Sequence, residues 1–107
     1  MDILEKKEYY SILFDFYGCL FTEKQIKYFT EYYFYDNSLS EIATSYGISR
    51  AAVHDILNKM HDALESYEEK LKLYEKYLKR NELYDELLKD IDIVKKEKLI
   101  EKLIEIE

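Results

Sequence analysis

The chain has no proline and no tryptophan, one cysteine and only two glycines among its 107 residues. Without proline nothing forces a helix interior to break. With Gly18 and Gly47 as the only glycines, few positions take a positive φ at no steric cost. A single cysteine, Cys19, cannot close an internal disulfide and suits a reducing compartment. It lies in the apolar stretch from Phe14 to Phe21, where a buried, inert thiol is expected. No apolar run approaches the roughly 20 residues that span a bilayer, and no signal-peptide core precedes a small-residue cleavage site. The expected location is the cytoplasm, with no membrane insertion. Two glycines also leave no room for a phosphate-cradling glycine loop.

What is plentiful is charge and tyrosine. Charged residues make up 36% of the chain and the net charge is −7. The acidic excess is spread out: −3 over 1–37, −1 over 38–62 and −3 over 63–107. No block of one sign dominates, which argues against a purely electrostatic tail. The overall sign opposes a dedicated nucleic-acid binder and suits solubility or a basic partner protein. The 12 tyrosines fall mostly at helical spacing beside Leu and Phe. An aromatic body with a wet hydroxyl suits half-buried helix faces, so packing is preferred over base stacking.

Helical periodicity runs through the chain, and the predicted fold class is all-α. Ile3, Leu4, Tyr10, Leu13, Phe14, Tyr17 and Leu20 form a stripe over a first helix, 2–19. Thr22 to Gln25 is a capping-box pattern opening a second helix, with Ile26, Phe29, Tyr32 and Tyr33 inward and an end near Asp36 and Asn37. Ser38 to Glu41 is another capping box, and Gly47 supplies the left-handed residue that ends a short third helix. Ser49 caps a fourth. From there to Arg80 no Gly or Pro intervenes, which predicts one helix of about 32 residues. Asn81 marks a weak break, and 82–107 continue as helix.

Residues 39–58 carry the most informative pattern. Two helices crossing steeply over a short turn need Ile42 inward, a small Ala43 where the second helix passes, Gly47 at the turn, and Ile48, Val53 and Ile56 to seal the joint. All six are in place, so the segment reads as a helix-turn-helix. If it reads DNA, the N-terminal part of its second helix enters the major groove. The candidate nucleic-acid-binding residues are then Ser49, Arg50, Ala51, His54 and Asn58, with Arg50 able to read guanine, Asn58 adenine and Ser49 a phosphate. Asp55 and Asp62 share that helix with Arg50 and Lys59, so the surface is about neutral. The reading of Arg50 and Lys59 as ordinary solvated side chains has equal weight.

The run Leu20 to Tyr28, then Tyr32-Tyr33, Ser38 to Ala43, Gly47 to Arg50 and Ala52 to His54, resembles the YlxM family of small bacterial proteins, whose domain is similar to region 4 of sigma factors. Tyr67 to Tyr77 is similar to that family's Tyr-Glu-Glu-Lys-Leu tail. The resemblance covers the first 90 residues and leaves 91–107 as an extension. It implies a sigma-region-4-like helix-turn-helix domain with a long C-terminal helical extension. It also implies an accessory or regulatory role in the signal recognition particle pathway, with that particle's GTPase or its RNA as partner. A DNA-binding transcriptional regulator, resting on the motif alone, is the alternative.

Val53, Leu57, Met60, Leu64, Tyr67, Leu71, Tyr74 and Leu78 alternate in steps of four and three, a heptad seam running out of the recognition helix. Its first part suits packing inside the domain. The stretch Leu64, Tyr67, Leu71, Tyr74 and Leu78 is expected as a homodimer or partner seam. The corresponding division is a helix-turn-helix domain over 1–63 and a helical extension over 64–107, fraying over 91–107. Catalysis finds little to work with: carboxylates are evenly spread rather than paired. His54 and His61 lie seven residues apart, about 10 Å of helical rise, too far for a shared metal. No enzyme activity, metal or cofactor is expected.

Overall fold

The computed structural model describes residues 2–107 and is helical, with no strand among the described residues. The order is α1 (Ile3–Tyr17), a 3-10 turn (Gly18–Leu20), α2 (Glu23–Tyr33), α3 (Leu39–Tyr46), α4 (Arg50–Leu71), α5 (Leu73–Leu87) and α6 (Ile93–Ile106). Two compact units divide between Leu71 and Lys72, eight residues beyond the 63/64 boundary expected from the sequence. The difference follows from α4, which runs unbroken to Leu71 with Leu64 wholly buried in the first unit.

Local chemistry sets the helix starts. The Gln25 amide donates to Thr22 Oγ1 at 3.2 Å while the Thr22 amide donates to Gln25 Oε1 at 2.9 Å. Ser38 and Glu41 repeat the exchange at 3.0 and 3.1 Å. Both boxes were legible in the sequence; a third, between Asp2 and Glu5 at the start of α1, was not read there. The Ala52 amide donates to Ser49 Oγ at 3.0 Å, so Ser49 caps α4 as expected. Each cap satisfies donors that a helix start otherwise leaves unpaired.

Gly47 has φ +66° and ψ +33° and closes α3, with its amide bonded to the Ala43 carbonyl. A Cβ at this position meets no atom within 4 Å, so a substitution there meets conformational strain alone. Gly47→Ala should therefore lower stability by about 1 kcal/mol, and Gly47→Asn by less, because Asn tolerates the left-handed region. Urea unfolding midpoints of the two variants check both values.

The first unit buries Leu13, Tyr17, Tyr28, Phe29, Ile42, Ala43, Val53, Leu57, Met60 and Leu64. In it α4 is the central helix, packed by α1, α2 and α3. Ile42, Ala43 and Val53 occupy the helix crossing as the motif requires, with Ile48 and Ile56 half-buried beside them. Phe29 is the aromatic hub, stacked on Phe14 and on Tyr33 with ring centroids 4.1 Å away in each case. In the second unit α5 packs against α6, with Leu99 buried.

Four expectations are corrected. The stripe of the first helix does not extend to its ends: Ile3, Leu4 and Leu20 are exposed. Cys19 is exposed as well, because the 3-10 turn re-aims the chain after Tyr17 and it is Gly18 that is buried, where a Cβ would come within 3.1 Å of the Phe14 ring. The 32-residue helix is broken at Lys72, which adopts φ +55°, with no proline or glycine to announce it. Asn81 is inside α5, and the real interruption lies at 88–92, where Asp92 caps α6 by accepting from the Lys95 amide at 2.8 Å.

The break at Lys72 also dissolves the seam. Leu64 is core, and Tyr67 packs within its own unit against Tyr17 and Phe21. Leu71 is the exposed last residue of α4, while Tyr74 and Leu78 belong to α5. The five residues do not form one helical face.

Candidate nucleic-acid interface

The second helix of the motif presents Ser49, Arg50, Ala51, His54 and Asn58 to solvent. Their exposure follows from the turn: Gly47 and the Ser49 cap fix the angle at which α4 leaves α3, and Val53 and Leu57 anchor its opposite side in the core. Ser49 spends its hydroxyl oxygen on the cap. The Asn58 amide approaches the His54 ring at 3.3 Å, one turn away on the same face. Lys59 is held by Asp55 at 3.0 Å, an exposed pair that stabilises little but offsets the lysine's charge.

His54 and Asn58 also border a groove of about 330 Å³ within the first unit, walled on its other sides by Lys6, Lys7 and Tyr10 of α1 and Tyr32 of α2. Lys6 and Lys7 fall outside the apolar stripe of the first helix. The structure turns Lys7 over the Tyr32 ring, 4.8 Å from its centroid, and to Asp36 at 3.3 Å. The signal that could have found this was Tyr32 and Tyr33 ending one helix beside two adjacent lysines of another.

Deeper along the groove, Tyr10 stacks on His61 at 4.1 Å and its hydroxyl donates to Glu65 at 2.8 Å. Partial burial, then this bond, pushes the Tyr10 phenol up to about 12. Burial also raises Tyr33, whose hydroxyl hydrogen-bonds His61 Nε2. Tyr33 thus keeps its proton, and the bond joins a phenol to a neutral ring.

Burial lowers the His61 pKa below its ordinary 6.5, opposed by Glu65 and Asp62 and assisted by His54. As pH falls, the unfolded chain takes up this proton first. Stability linked to His61 is therefore full above about 6.5 and is lost as pH drops from there toward the lower folded value. Urea midpoints should fall between about pH 7.5 and about pH 5.5, and His61→Gln, which keeps an acceptor for Tyr33, should flatten that part of the profile.

No group of three or more metal-ligating side chains occurs among the described residues, and none of their helices is long and apolar enough to cross a membrane. The short α3, the left-handed glycine turn and the solvent-facing start of α4 define a helix-turn-helix protein. Residues 4–106 match the UPF0122 family of helix-turn-helix proteins, YlxM / p13 like. The chain belongs to this family, and the match includes 91–106, from the stretch that sequence resemblance had left outside. It is 48% identical over 93 residues to a UPF0122 protein of Ureaplasma parvum, covering 87% of this chain and 93% of that one. A UPF0122 protein of Lactococcus lactis subsp. cremoris is 45% identical over 104 residues, 97% of this chain and 92% of its own. A relative from Malacoplasma penetrans is 53% identical over 49 residues, 46% of each chain.

Proposed function

We infer that this chain is a non-enzymatic accessory protein of the cytoplasm whose helix-turn-helix face meets a protein and its RNA rather than reading duplex DNA. The observation supporting this is charge compensation along α4. Its cations are Arg50, Lys59 and Lys70, against Asp55, Asp62, Glu65, Glu68 and Glu69, and Lys59 is already paired with Asp55. Duplex affinity follows the number of phosphates neutralised, and a helix with this balance neutralises few. The resemblance to the YlxM family supplies the partner, the signal recognition particle GTPase or its RNA. A duplex-reading regulator using Ser49, Arg50, Ala51, His54 and Asn58 is the second reading, favoured by the exposure of all five.

A pull-down of the full chain with that GTPase and its RNA, run beside a screen of genomic duplexes, separates the two. Retention by the particle components without an enriched duplex is the expected result. An enriched duplex motif with no retention by the particle overturns the first reading and leaves the second.

A further inference from the structure

We propose that the groove between α1, α2 and α4 takes one unpaired nucleobase of a single strand, with the adjoining phosphate on Lys6 and Lys7. This deepens the nucleic-acid part of the reading above and does not depend on the targeting GTPase.

Charge comes first. In a chain of net charge −7, the groove is lined by two lysines and no carboxylate. Lys7 is held by an exposed pair with Asp36 and by the faces of Tyr32 and Tyr33. Such a pair is weak, so its long stem is free to turn to a phosphate. Toward the other end, Glu65 holds the Tyr10 hydroxyl and disfavours a second phosphate there. The backbone is thus directed to the Lys6 and Lys7 end.

Shape and hydrogen bonding agree. The volume of about 330 Å³ is at the small end for ligand pockets, which run from about 300 Å³. That suits a base with its sugar. Tyr10 and Tyr32 offer aromatic walls, and every base has a π-face to set against them. At the rim, the Asn58 amide presents a donor and an acceptor side by side, the pattern complementary to an adenine edge, with His54 beside it. Bases are reached in this way in loops and single strands, where they are already unstacked.

The test uses the full chain and a fluorescein-labelled hexa-adenylate, alone and annealed to its complement, followed by anisotropy across a salt series. The single strand should bind more tightly than the duplex. The double variant Lys6→Gln, Lys7→Gln should weaken it at least about tenfold and reduce the salt slope by about 0.7, the value for one phosphate contact on a single strand. Tyr32→Leu should weaken it about tenfold. Should Tyr32→Leu fail to fold by circular dichroism, the lysine variant decides alone. Equal duplex affinity, or folded variants that bind like the parent, overturns the proposal. So does competition by adenosine monophosphate at the strand's own concentration, which assigns the groove to a free nucleotide. Absence of binding to either oligonucleotide at low salt overturns it too, while leaving a protein contact with the GTPase standing; a failed GTPase pull-down leaves the groove result unaffected.

Discussion

Leu64→Ala should lower the stability of the first unit by about 2–5 kcal/mol, whereas Leu71→Ala, one heptad further along α4, should cost less than about 1 kcal/mol. Leu64 is 0% exposed and Leu71 48%, so the first substitution opens a cavity and the second trims a surface. A unit of this size has roughly 4–10 kcal/mol of stability in total, so the loss at Leu64 is a large fraction of it. The charged versions sharpen the contrast. Leu64→Glu should unfold the unit at every protein concentration, because a buried carboxylate has no partner there. Leu71→Glu should leave it folded. Urea unfolding followed by circular dichroism at two protein concentrations checks all four. Equal sensitivity at the two positions would restore a continuous seam through Leu71.

Phe29→Ala should cost about 3–5 kcal/mol and lower Tm by about 20 °C. Phe29 is wholly buried and stacks on both Phe14 and Tyr33. Removing it therefore forfeits apolar burial and two ring contacts at once. The damage should reach the groove, since Tyr33 loses the ring behind it and Tyr33 holds His61. Phe34→Ala is the control: Phe34 is half exposed and its loss should cost less than about 1.5 kcal/mol. Differential scanning calorimetry of the two variants gives both numbers.

Much of this architecture was legible because several local rules agreed on it. Thr22 with Gln25, Ser38 with Glu41, Gly47 and Ser49 each announce a helix end by their own chemistry. Ile42, Ala43 and Val53 then fix which faces meet. The break at Lys72 carried no such mark. Lysine is a good helix former, and its left-handed φ of +55° runs against propensity at a cost of about 1 kcal/mol. The 88–92 interruption was signalled by Asp92 as a cap, a signal hidden within continuous apolar periodicity from Leu83 to Val94. Cys19 went astray because the 3-10 turn shifts the angular register after Tyr17, which a 3.6-residue period does not follow.

The candidate interface was half legible. Its residues at the start of α4 and at its cap were named from the motif, and all five are exposed. The groove was not legible, because it is made by α1 and α2 as well, from residues far apart in the sequence such as Lys7 and Tyr32. Periodicity orients each helix separately; only tertiary packing brings Lys6, Lys7 and Tyr32 to the border of His54 and Asn58.

Duplex affinity measured across salt tests the account most directly, because the claim is that the face of α4 is charge-compensated. At about 150 mM salt the full chain should bind a random-sequence duplex library no more tightly than nonspecific association, about 10⁻⁴ to 10⁻⁶ M. Its salt slope should be shallow, and Arg50→Ala should change little. Selection of one duplex sequence at nanomolar affinity, weakened by about 1–3 kcal/mol in Arg50→Ala, would contradict the account and make this helix a reader of DNA.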